Sequence, residues 1–282
     1  DKKYNIRIMS RDEVRDIAAN WAAQEGWNPG LDDADIFYET DNKGFLIGVL
    51  DDKPIACISV VKYDQSFGFL GFYIVRPEFR GKGYGLKIWQ AGMDYLQNCN
   101  IGLDGVIAQQ DNYKKSGFKL AYSNIRFKGI AQLAKEKSEC ISVLEDVSFD
   151  KIEKYDRIFF PAFRRNFLER WIKPKYGVGL AFLKNSDIAG YGVIRKCIDG
   201  YKIGPLFAEE KYIAEELFIA LSNRVEVESN IYMDIPEVNL FAKNLTQKYC
   251  MKKVFETVRM YTGELPDLPM DKIFGVTTFE LG

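Results

Sequence analysis

The sequence predicts a mixed α/β fold in which one order of strands and helices occurs twice. Short apolar runs typical of strands alternate with helix-periodic segments along most of the chain. A glycine-rich turn at 81–85 joins one such strand to one such helix. The segment 250–260 aligns with 117–127 at an offset of 133 residues, which indicates an internal repeat. The alternative is that two mixed α/β domains share this order by chance.

The first half, residues 1–130, is predicted to run β-α-α-β-β-β-α-β-α-β. Ser10 and Glu13 have the spacing of a capping box, and Gly26 marks the end of the helix that begins there. The predicted strands are 6–9, 44–50, 54–63, 67–75, 103–108 and 118–127. The predicted helices are 10–26, 32–39, one that begins at about 83, and 110–116.

Residues 131–150 are charged and mixed in character, and we expect a connector there. A related order follows in the second half, residues 151–282. Its predicted helices are 149–173 with an interruption at Pro161, then 209–222 and 238–249. Its predicted strands are 178–183, 188–195, 201–207, 230–235 and 254–261. An aromatic stripe at 159–171 suits either core packing or a lid over a binding site in the first half.

Composition argues against several classes of protein. The 282 residues are 47% hydrophobic and 28% charged, which suits one large domain or two of about 140 residues. The net charge of −1 gives no general attraction to nucleic acid or to an anionic membrane. No apolar run approaches the roughly 18 residues of a membrane span, and no secretory leader is visible. We therefore expect neither nucleic acid nor a membrane as a partner.

The histidine and cysteine content limits which residues can act in catalysis or bind a metal. The chain has no histidine, which excludes histidine-based triads and argues against the usual zinc sites. Its five cysteines are scattered, odd in number and without CxxC spacing, so we expect reduced thiols, a cytoplasmic location and no metal. Proton transfer must then rely on carboxylates, tyrosine, lysine, cysteine or water.

The glycine turn has the character of a phosphate site. A helix start offers unpaired N–H groups and a positive dipole end, and glycines let the backbone approach an anion closely. Arg80 and Lys82 add cationic donors. The dinucleotide fingerprint does not fit because residue 86 is Leu, and the P-loop does not fit because Gly83 follows Lys82. The alternative is a flexible loop without a ligand.

A third pattern, Arg/Gln-x-x-Gly-x-Gly/Ala, is met by Arg80, Gly83 and Gly85. A second motif, Tyr-x-x-x-Gly-Phe, begins at Tyr113. On these residues the segment 4–128 resembles the GNAT superfamily of N-acetyltransferases. The two-domain form, with Ile-Gly-Pro-Leu-Phe at 203–207 and Phe-Glu-Leu-Gly at 279–282, resembles uncharacterised acetyltransferases that carry a second GNAT-like domain.

The resemblance implies a GNAT fold, a central mixed sheet flanked by helices, followed by a degenerate second GNAT-like domain. It implies acetyl-CoA as co-substrate and direct acetyl transfer to a primary amine of a small molecule or a peptide. The second half has no glycine turn but four glutamates at 209–216, which would repel a pyrophosphate. The residues expected to bind CoA are Tyr73, Ile74, Val75, Arg80, Gly81, Lys82, Gly83, Tyr84, Gly85, Leu86 and Asn112.

The resemblance also assigns Tyr113 as the general acid that protonates the leaving thiolate; the alternative is a packing role. The general base stays open between Glu25, Asp104 and a water relay, and Asp104 also suits a structural ion pair. Glu25, Trp27 and Asn28 are expected to wall the acceptor site. The acidic segment 32–35 suits either a cationic acceptor or a solvated helix start.

Two other functions stay open at this stage. One is a non-catalytic CoA-binding regulator, and the other is a transferase that uses a different acyl-CoA. The sequence does not set the acceptor, the acyl-chain selectivity, the oligomeric state or the role of the second domain.

Overall fold

The computed structural model describes residues 3–135 and 139–282, and its first half follows the predicted order of elements. The strands of this half are β1 (Tyr4–Ile8), β2 (Phe45–Leu50), β3 (Lys53–Lys62), β4 (Phe67–Val75), β5 (Asn100–Val106) and β6 (Lys119–Ile130). The helices are α1 (Arg11–Glu13), α2 (Asn20–Gln24), α3 (Asp33–Thr40), α4 (Tyr84–Tyr95) and α5 (Gln110–Lys115).

The first helical segment begins as the sequence predicts. The Ser10 hydroxyl accepts from the Glu13 N–H at 3.3 Å, and the Glu13 carboxylate accepts from the Ser10 N–H at 2.9 Å. This is the reciprocal capping box. A π-helical segment, Val14–Ala19, then joins α1 to α2, a widening that the sequence pattern did not predict.

The second half repeats the pattern, with two short strands that were not predicted. Its strands are β7 (Ile141–Val143), β8 (Gly177–Lys184), β9 (Asp187–Lys196), β10 (Tyr201–Ala208), β11 (Asn230–Pro236), β12 (Lys252–Tyr261) and β13 (Ile273–Gly275). Its helices are α6 (Phe149–Asp156), α7 (Arg165–Trp171), α8 (Lys211–Ser222) and α9 (Leu240–Lys248). β7 lies within the predicted connector and pairs with β8, whereas β13 pairs with β10. Residues 136–138 of that connector lie outside the described residues.

One mixed sheet runs through both halves. Its strand order is β1-β2-β3-β4-β5-β12-β6-β11-β10-β9-β8-β7. β12 of the second half lies between β5 and β6 and is antiparallel to both, and β6 pairs with β11. Each half therefore places its last long strand beside the other half. The linear boundaries 1–130, 131–150 and 151–282 do not describe this shared sheet, although they order the elements correctly.

The two halves exchange strands, because β12 lies beside β5 and β6 lies beside β11. A buried ion pair is found at each of these two positions. Arg259 of β12 bonds Asp104 of β5 at 2.5 Å, and Arg126 of β6 bonds Asp234 of β11 at 2.6 Å. Arg126 and Arg259 are the two residues that the internal repeat aligns. Each exchanged strand thus brings an arginine to an aspartate on the strand that receives it, as expected of a molecule built from two related halves.

The sheet opens between β4 and β5. These two strands pair in parallel only from Phe67 with Asn100 to Leu70 with Leu103. Beyond Leu70, β4 continues beside β3 through a register shift, and Phe72 has a positive φ of 46°. β5 continues beside β12 as far as Val106. A gap between two strands of one sheet leaves their facing backbone groups available to a ligand.

Helices cover both faces of this sheet. Ile58 and Val60 of β3 belong to the apolar cluster that packs under α4, whereas Val61 joins a cluster on the opposite face. In that second cluster, Phe37 of α3 stacks on Trp171 of α7 at a centroid distance of 6.1 Å. The helices of the two halves therefore share one core.

The aromatic stripe that opens the second half is mostly core. Phe159, Phe160, Phe167 and Trp171 are buried, and Phe163 is exposed. The packing alternative is thus the one that the structure supports. In the described part of the chain, no helix combines the length and the apolar character needed to cross a membrane.

Candidate active site

A cavity of about 580 Å³ lies where β4 and β5 separate. The end of α2, β4, the glycine turn, β5 and α5 supply one side of its wall. β12 and the segment after β13 supply the other side, so both halves contribute. The predicted site residues that line it are Glu25, Trp27, Tyr73, Ile74, Val75, Arg80, Gly81, Gly83, Gly85, Leu86, Asp104 and Tyr113.

The glycine turn leads into this cavity at the start of α4. Gly81 and Gly83 have φ values of 74° and 83°, a left-handed conformation that glycine adopts without strain. A side chain at either position would meet nothing within 4 Å. Gly83 is the N-cap of α4, and no side chain caps its free N–H groups. The turn therefore presents open backbone donors with space in front of them, which is the shape that a phosphate group requires.

Arg80 is tied to the same region. Its guanidinium bonds the Val75 carbonyl at 2.8 Å and the Glu25 carboxylate at 2.7 Å. These contacts link the end of β4, the end of α2 and the turn. Arg80 is exposed, so a phosphate that enters can compete with Glu25 for the guanidinium.

Tyr113 reaches the cavity from α5. Its ring stacks on Trp89 of α4 at 5.7 Å and occupies the space that a side chain at residue 105 would need. Burial raises the pKa of the Tyr113 phenol to about 12; Tyr73 adds to this, and hydrogen bonding to the Val106 backbone opposes it. The phenol is therefore protonated at neutral pH and is available as a proton donor.

Arginines hold both carboxylates that the sequence offered as bases. Glu25 pairs with Arg80. Asp104 is fully buried, pairs with Arg259 and also accepts from the Asn124 amide at 2.8 Å. Asp234 makes the matching pair with Arg126 in the half that lacks the glycine turn. The Arg126–Asp234 pair occurs in a half that has no glycine turn, so such a pair does not depend on a phosphate site. The equivalent Arg259–Asp104 pair therefore favours a structural role for Asp104 over a role as general base.

Four predicted residues lie outside the cavity wall. Lys82 donates to the Glu78 carbonyl at 2.8 Å, and Asn112 donates to Gln109 at 2.7 Å. The Tyr84 carbonyl accepts from the Tyr4 hydroxyl at 3.3 Å. Asn28 bonds the Asp199 backbone through both side-chain atoms at 2.9 Å, so it joins the two halves.

The acids of the segment 32–35 do not gather at the cavity. Asp33 is buried and pairs with Arg195 at 2.8 Å, and Asp35 pairs with Arg11 at 3.3 Å. Neither Asp33 nor Asp35 lines the cavity. This region is therefore a poor match to a cationic acceptor.

Sequence reasoning missed the residues that the second half contributes. Phe255 and Thr257 of β12, together with Phe279 and Glu280 near the C-terminus, line the cavity. The only sequence signal was the segment 279–282, to which no role was attached. In residues 3–135 and 139–282, no group of three or more acidic or cysteine side chains converges as a metal site would require.

Comparison with known proteins identifies the family. The model described as the acetyltransferase (GNAT) family matches residues 11–118, and a second, described as an acetyltransferase (GNAT) domain, matches residues 152–275. The holothin acyltransferase of Pseudoalteromonas sp. (strain SANK 73390) is 32% identical over 266 residues, which cover 94% of this chain and 90% of that protein. The chain belongs to the GNAT family of acetyltransferases.

Solved structures agree on a tandem GNAT fold. A protein from Pyrococcus horikoshii described as a candidate acetyltransferase has a TM-score of 0.83 at 20% identity, with 99% of this chain and 96% of that chain covered. A tandem GNAT protein from the clavulanic acid biosynthesis pathway has a TM-score of 0.63 at 10% identity, with 94% and 100% covered. The internal repeat predicted from the sequence is confirmed as two GNAT domains.

Proposed function

We propose that this GNAT protein is an N-acyltransferase that moves an acetyl group from acetyl-CoA to a primary amine of a small molecule or a peptide. The first half, residues 1–130, carries the reaction in this proposal. The second half, residues 151–282, is a GNAT-like domain without a pyrophosphate turn. The observation that carries the proposal is the continuity of the glycine turn, the separated strands and Tyr113 around one cavity.

The glycine turn fits the donor. Open backbone N–H groups at Gly81 and Gly83, with Arg80 beside them, would hold the pyrophosphate. The edge of Tyr73–Val75 that faces away from β3 and no longer pairs with β5 would hold the pantetheine arm. Acetyl-CoA supplies the acyl carbon and a thiolate leaving group. Backbone groups alone can hold that arm, so its binding site requires no particular side chains and leaves no motif in the sequence. The turn requires glycines, and its motif is therefore visible.

In addition to binding the donor, the chain must stabilise the oxyanion and protonate the leaving sulfur. A backbone N–H on the open edge of β4 stabilises the oxyanion, a contribution that depends on position and not on side-chain type. Tyr113 passes its phenolic proton to the departing sulfur, a role that its protonated state at neutral pH permits. The scattered cysteines support a cytoplasmic site of action.

A different acyl chain is the second candidate. The relative that is 32% identical is named an acyltransferase of holothin, and that name does not restrict the acyl group to acetyl. The phosphate turn does not contact the acyl end, so it cannot select the chain length. Selectivity must then come from the inner cavity.

The test combines binding with turnover. We expect CoA to raise the melting temperature, and acetyl-CoA to release thiol only when an amine is present. Phenethylamine, spermidine, glucosamine and a short peptide form a suitable panel, with propionyl-CoA and hexanoyl-CoA as alternative donors. CoA binding without thiol release from any pairing would instead favour a regulatory protein, and no CoA binding would remove the donor assignment.

A further inference from the structure

We propose that Glu280 is the carboxylate that receives the acceptor amine and removes its proton, in a subsite walled by Trp27, Phe255 and Phe279. This inference rests on the proposed function, since it assigns the base that the sequence left open. Glu280 belongs to the C-terminal segment, which is distant in sequence from the first half and contacts it only in the folded protein.

Glu280 is buried against the strand that separates from β5. Glu280 is one of the residues that line the cavity, and it is 3% exposed. A side chain at Gly71 of β4 would collide with the Glu280 backbone, so the two segments are in direct contact. Glu280 is thus fixed beside Gly71, two residues before the segment Tyr73–Val75 that we assign to the acyl donor.

One oxygen of the Glu280 carboxylate lacks a hydrogen-bond donor among the described residues. Its Oε2 is buried and has no hydrogen-bond partner within the residues that the structure describes. A buried acceptor without a partner destabilises the fold, so such groups are rare unless a ligand or water completes them. An amine N–H is a donor of the right kind for this position.

The surrounding charges leave Glu280 without an ion-pair partner. Two arginines near it are already neutralised, Arg126 by Asp234 and Arg195 by Asp33. The third cation, Lys202, donates to the Asn28 carbonyl at 3.0 Å. With the two arginine–aspartate pairs cancelling, the cluster is neutral overall when Lys202 and Glu280 are both charged or both uncharged. An acceptor nitrogen can therefore exchange a proton with Glu280 without breaking an existing pair.

Burial also adjusts the basicity of this group. Burial raises the pKa of the Glu280 carboxyl; Lys202 of β10 opposes the rise, Asp33 of α3 adds to it, and Arg126 of β6 and Arg195 of β9 oppose it. A carboxylate with a raised pKa accepts a proton more readily, which suits a general base that works near neutral pH.

The walls indicate what kind of amine fits. The Arg126 guanidinium lies 4.8 Å from the Phe279 ring and 5.9 Å from the Phe255 ring, and it donates to the Trp27 carbonyl at 2.8 Å. One buried ion pair thus positions all three aromatic residues. Because the Arg126 cation already lies against Phe279 and Phe255, these walls favour a planar apolar group over a second cation. The acceptor class is therefore a primary amine that carries an aromatic ring.

The proton balance is simple. The neutral amine gives one N–H proton to Glu280 as its lone pair forms the C–N bond and the C–S bond breaks. The sulfur takes the phenolic proton of Tyr113. Proton exchange with solvent then carries the proton from Glu280 to the Tyr113 phenolate, so that amine and acyl thioester become amide and thiol. An acceptor that arrives as ammonium releases one further proton to solvent.

The test compares Glu280→Gln with wild type, using acetyl-CoA and phenethylamine. We expect kcat to fall by about 10²-fold or more, with the CoA-induced rise in melting temperature unchanged. Glu264→Gln is the matched control, because Glu264 is an exposed glutamate of the same C-terminal segment. A Glu280→Gln variant whose kcat stays within about 3-fold of wild type would overturn the proposal. Spermidine turning over faster than phenethylamine would overturn the aromatic acceptor.

Stability gives a readout that does not need activity. A carboxyl whose pKa is raised on folding contributes stability below its ordinary pKa of 4.5 and loses that contribution as pH rises through the folded pKa. The melting temperature of Glu280→Gln minus that of wild type should therefore increase from pH 4 to pH 7. A variant that is less stable than wild type at pH 7 would mark Glu280 as structural and overturn its assignment as base. Wild type without thiol release from any amine would instead overturn the proposed function, and the assignment of Glu280 with it.

Discussion

The position of the Tyr113 side chain depends on the lack of a side chain at Gly105. The Tyr113 ring fills the space beside Gly105, and Trp89 of α4 stacks on its other face. Any larger residue at position 105 would displace the ring. The local sequence around Tyr113 provides the helix, but Gly105 and Trp89 decide where the phenol points.

Tyr113→Phe tests the general-acid role at this scale. We expect kcat to fall by about 10-fold or more, with little change in the KM for acetyl-CoA, because the phenylalanine ring keeps the packing and removes only the proton. The loss should shrink with an acyl donor whose thiol is more acidic. Steady-state kinetics with both donors give the measurement.

Tyr95→Phe is the control for that experiment. The Tyr95 hydroxyl donates to Asp41 at 2.9 Å, at the far end of α4 from the turn. The Tyr95→Phe substitution should leave kcat unchanged. A Tyr113→Phe enzyme as fast as wild type, under conditions where chemistry limits the rate, would show that the phenol only packs.

At the scale of elements, the two halves differ most at the start of one helix. α4 begins at a left-handed glycine with open space, whereas α8 begins at Glu210, with Glu209 before it. Both are suitable helix starts, because acidic residues interact favourably with the positive end of the helix dipole and glycine is a tolerated N-cap. Only the first has the uncharged, open backbone that a phosphate would need.

Gly83→Asp should abolish the CoA-induced rise in melting temperature. The aspartate would place a side chain and a negative charge in the open space in front of the helix start. Gly117→Asp is the matched control, because Gly117 also has a positive φ, 91°, with nothing within 4 Å, and lies outside the cavity wall. Both variants carry the same backbone strain of about 1–2 kcal/mol. A normal CoA response in Gly83→Asp would exclude the turn as the phosphate site.

The second prediction at this scale concerns stoichiometry. We expect isothermal titration of the chain with CoA to give one site, because the acidic start of α8 repels a pyrophosphate. The Gly83→Asp variant should then give no measurable site. Two sites in wild type, with one left in the variant, would show that α8 also binds CoA.

At the scale of the whole molecule, the halves are not independent. β12 lies between β5 and β6, and each exchanged strand is held by a buried arginine–aspartate pair. The candidate active-site cavity depends on this exchange, since Phe255, Thr257 and Glu280 come from the second half. We therefore expect one cooperative unfolding transition, followed by both fluorescence and circular dichroism.

Arg259→Met tests the role of the exchanged strand. Removing one partner leaves Asp104 charged and buried, and we expect the free energy of unfolding to fall by about 3–5 kcal/mol. Replacing both partners, Asp104→Leu with Arg259→Met, should recover most of the loss. Denaturant unfolding gives the measurement. Arg7→Met, which removes a surface pair with Glu13, should cost no more than about 1 kcal/mol. A loss of that small size in Arg259→Met would contradict the structural role of the pair.

Local sequence by itself determined the order of elements, the glycine turn and the helix that carries Tyr113. These features depend on residues close together along the chain: hydrophobic periodicity, a capping box at Ser10 and left-handed glycines at 81 and 83. The same local information gave the repeat, since Arg126 and Arg259 fall at one offset. The short strands β7 and β13 were missed because three residues are too few for a period to be visible.

Only the tertiary structure decided the strand exchange and the composition of the cavity. Asp104 and Arg259 are distant in sequence, and nothing in either segment indicates that β12 inserts beside β5 and not beside β11. Glu280 meets Gly71 only because the C-terminal segment returns across the sheet. Such contacts depend on which apolar faces pack together over the whole chain, and that choice is made by the fold as a unit and not by any short stretch of residues.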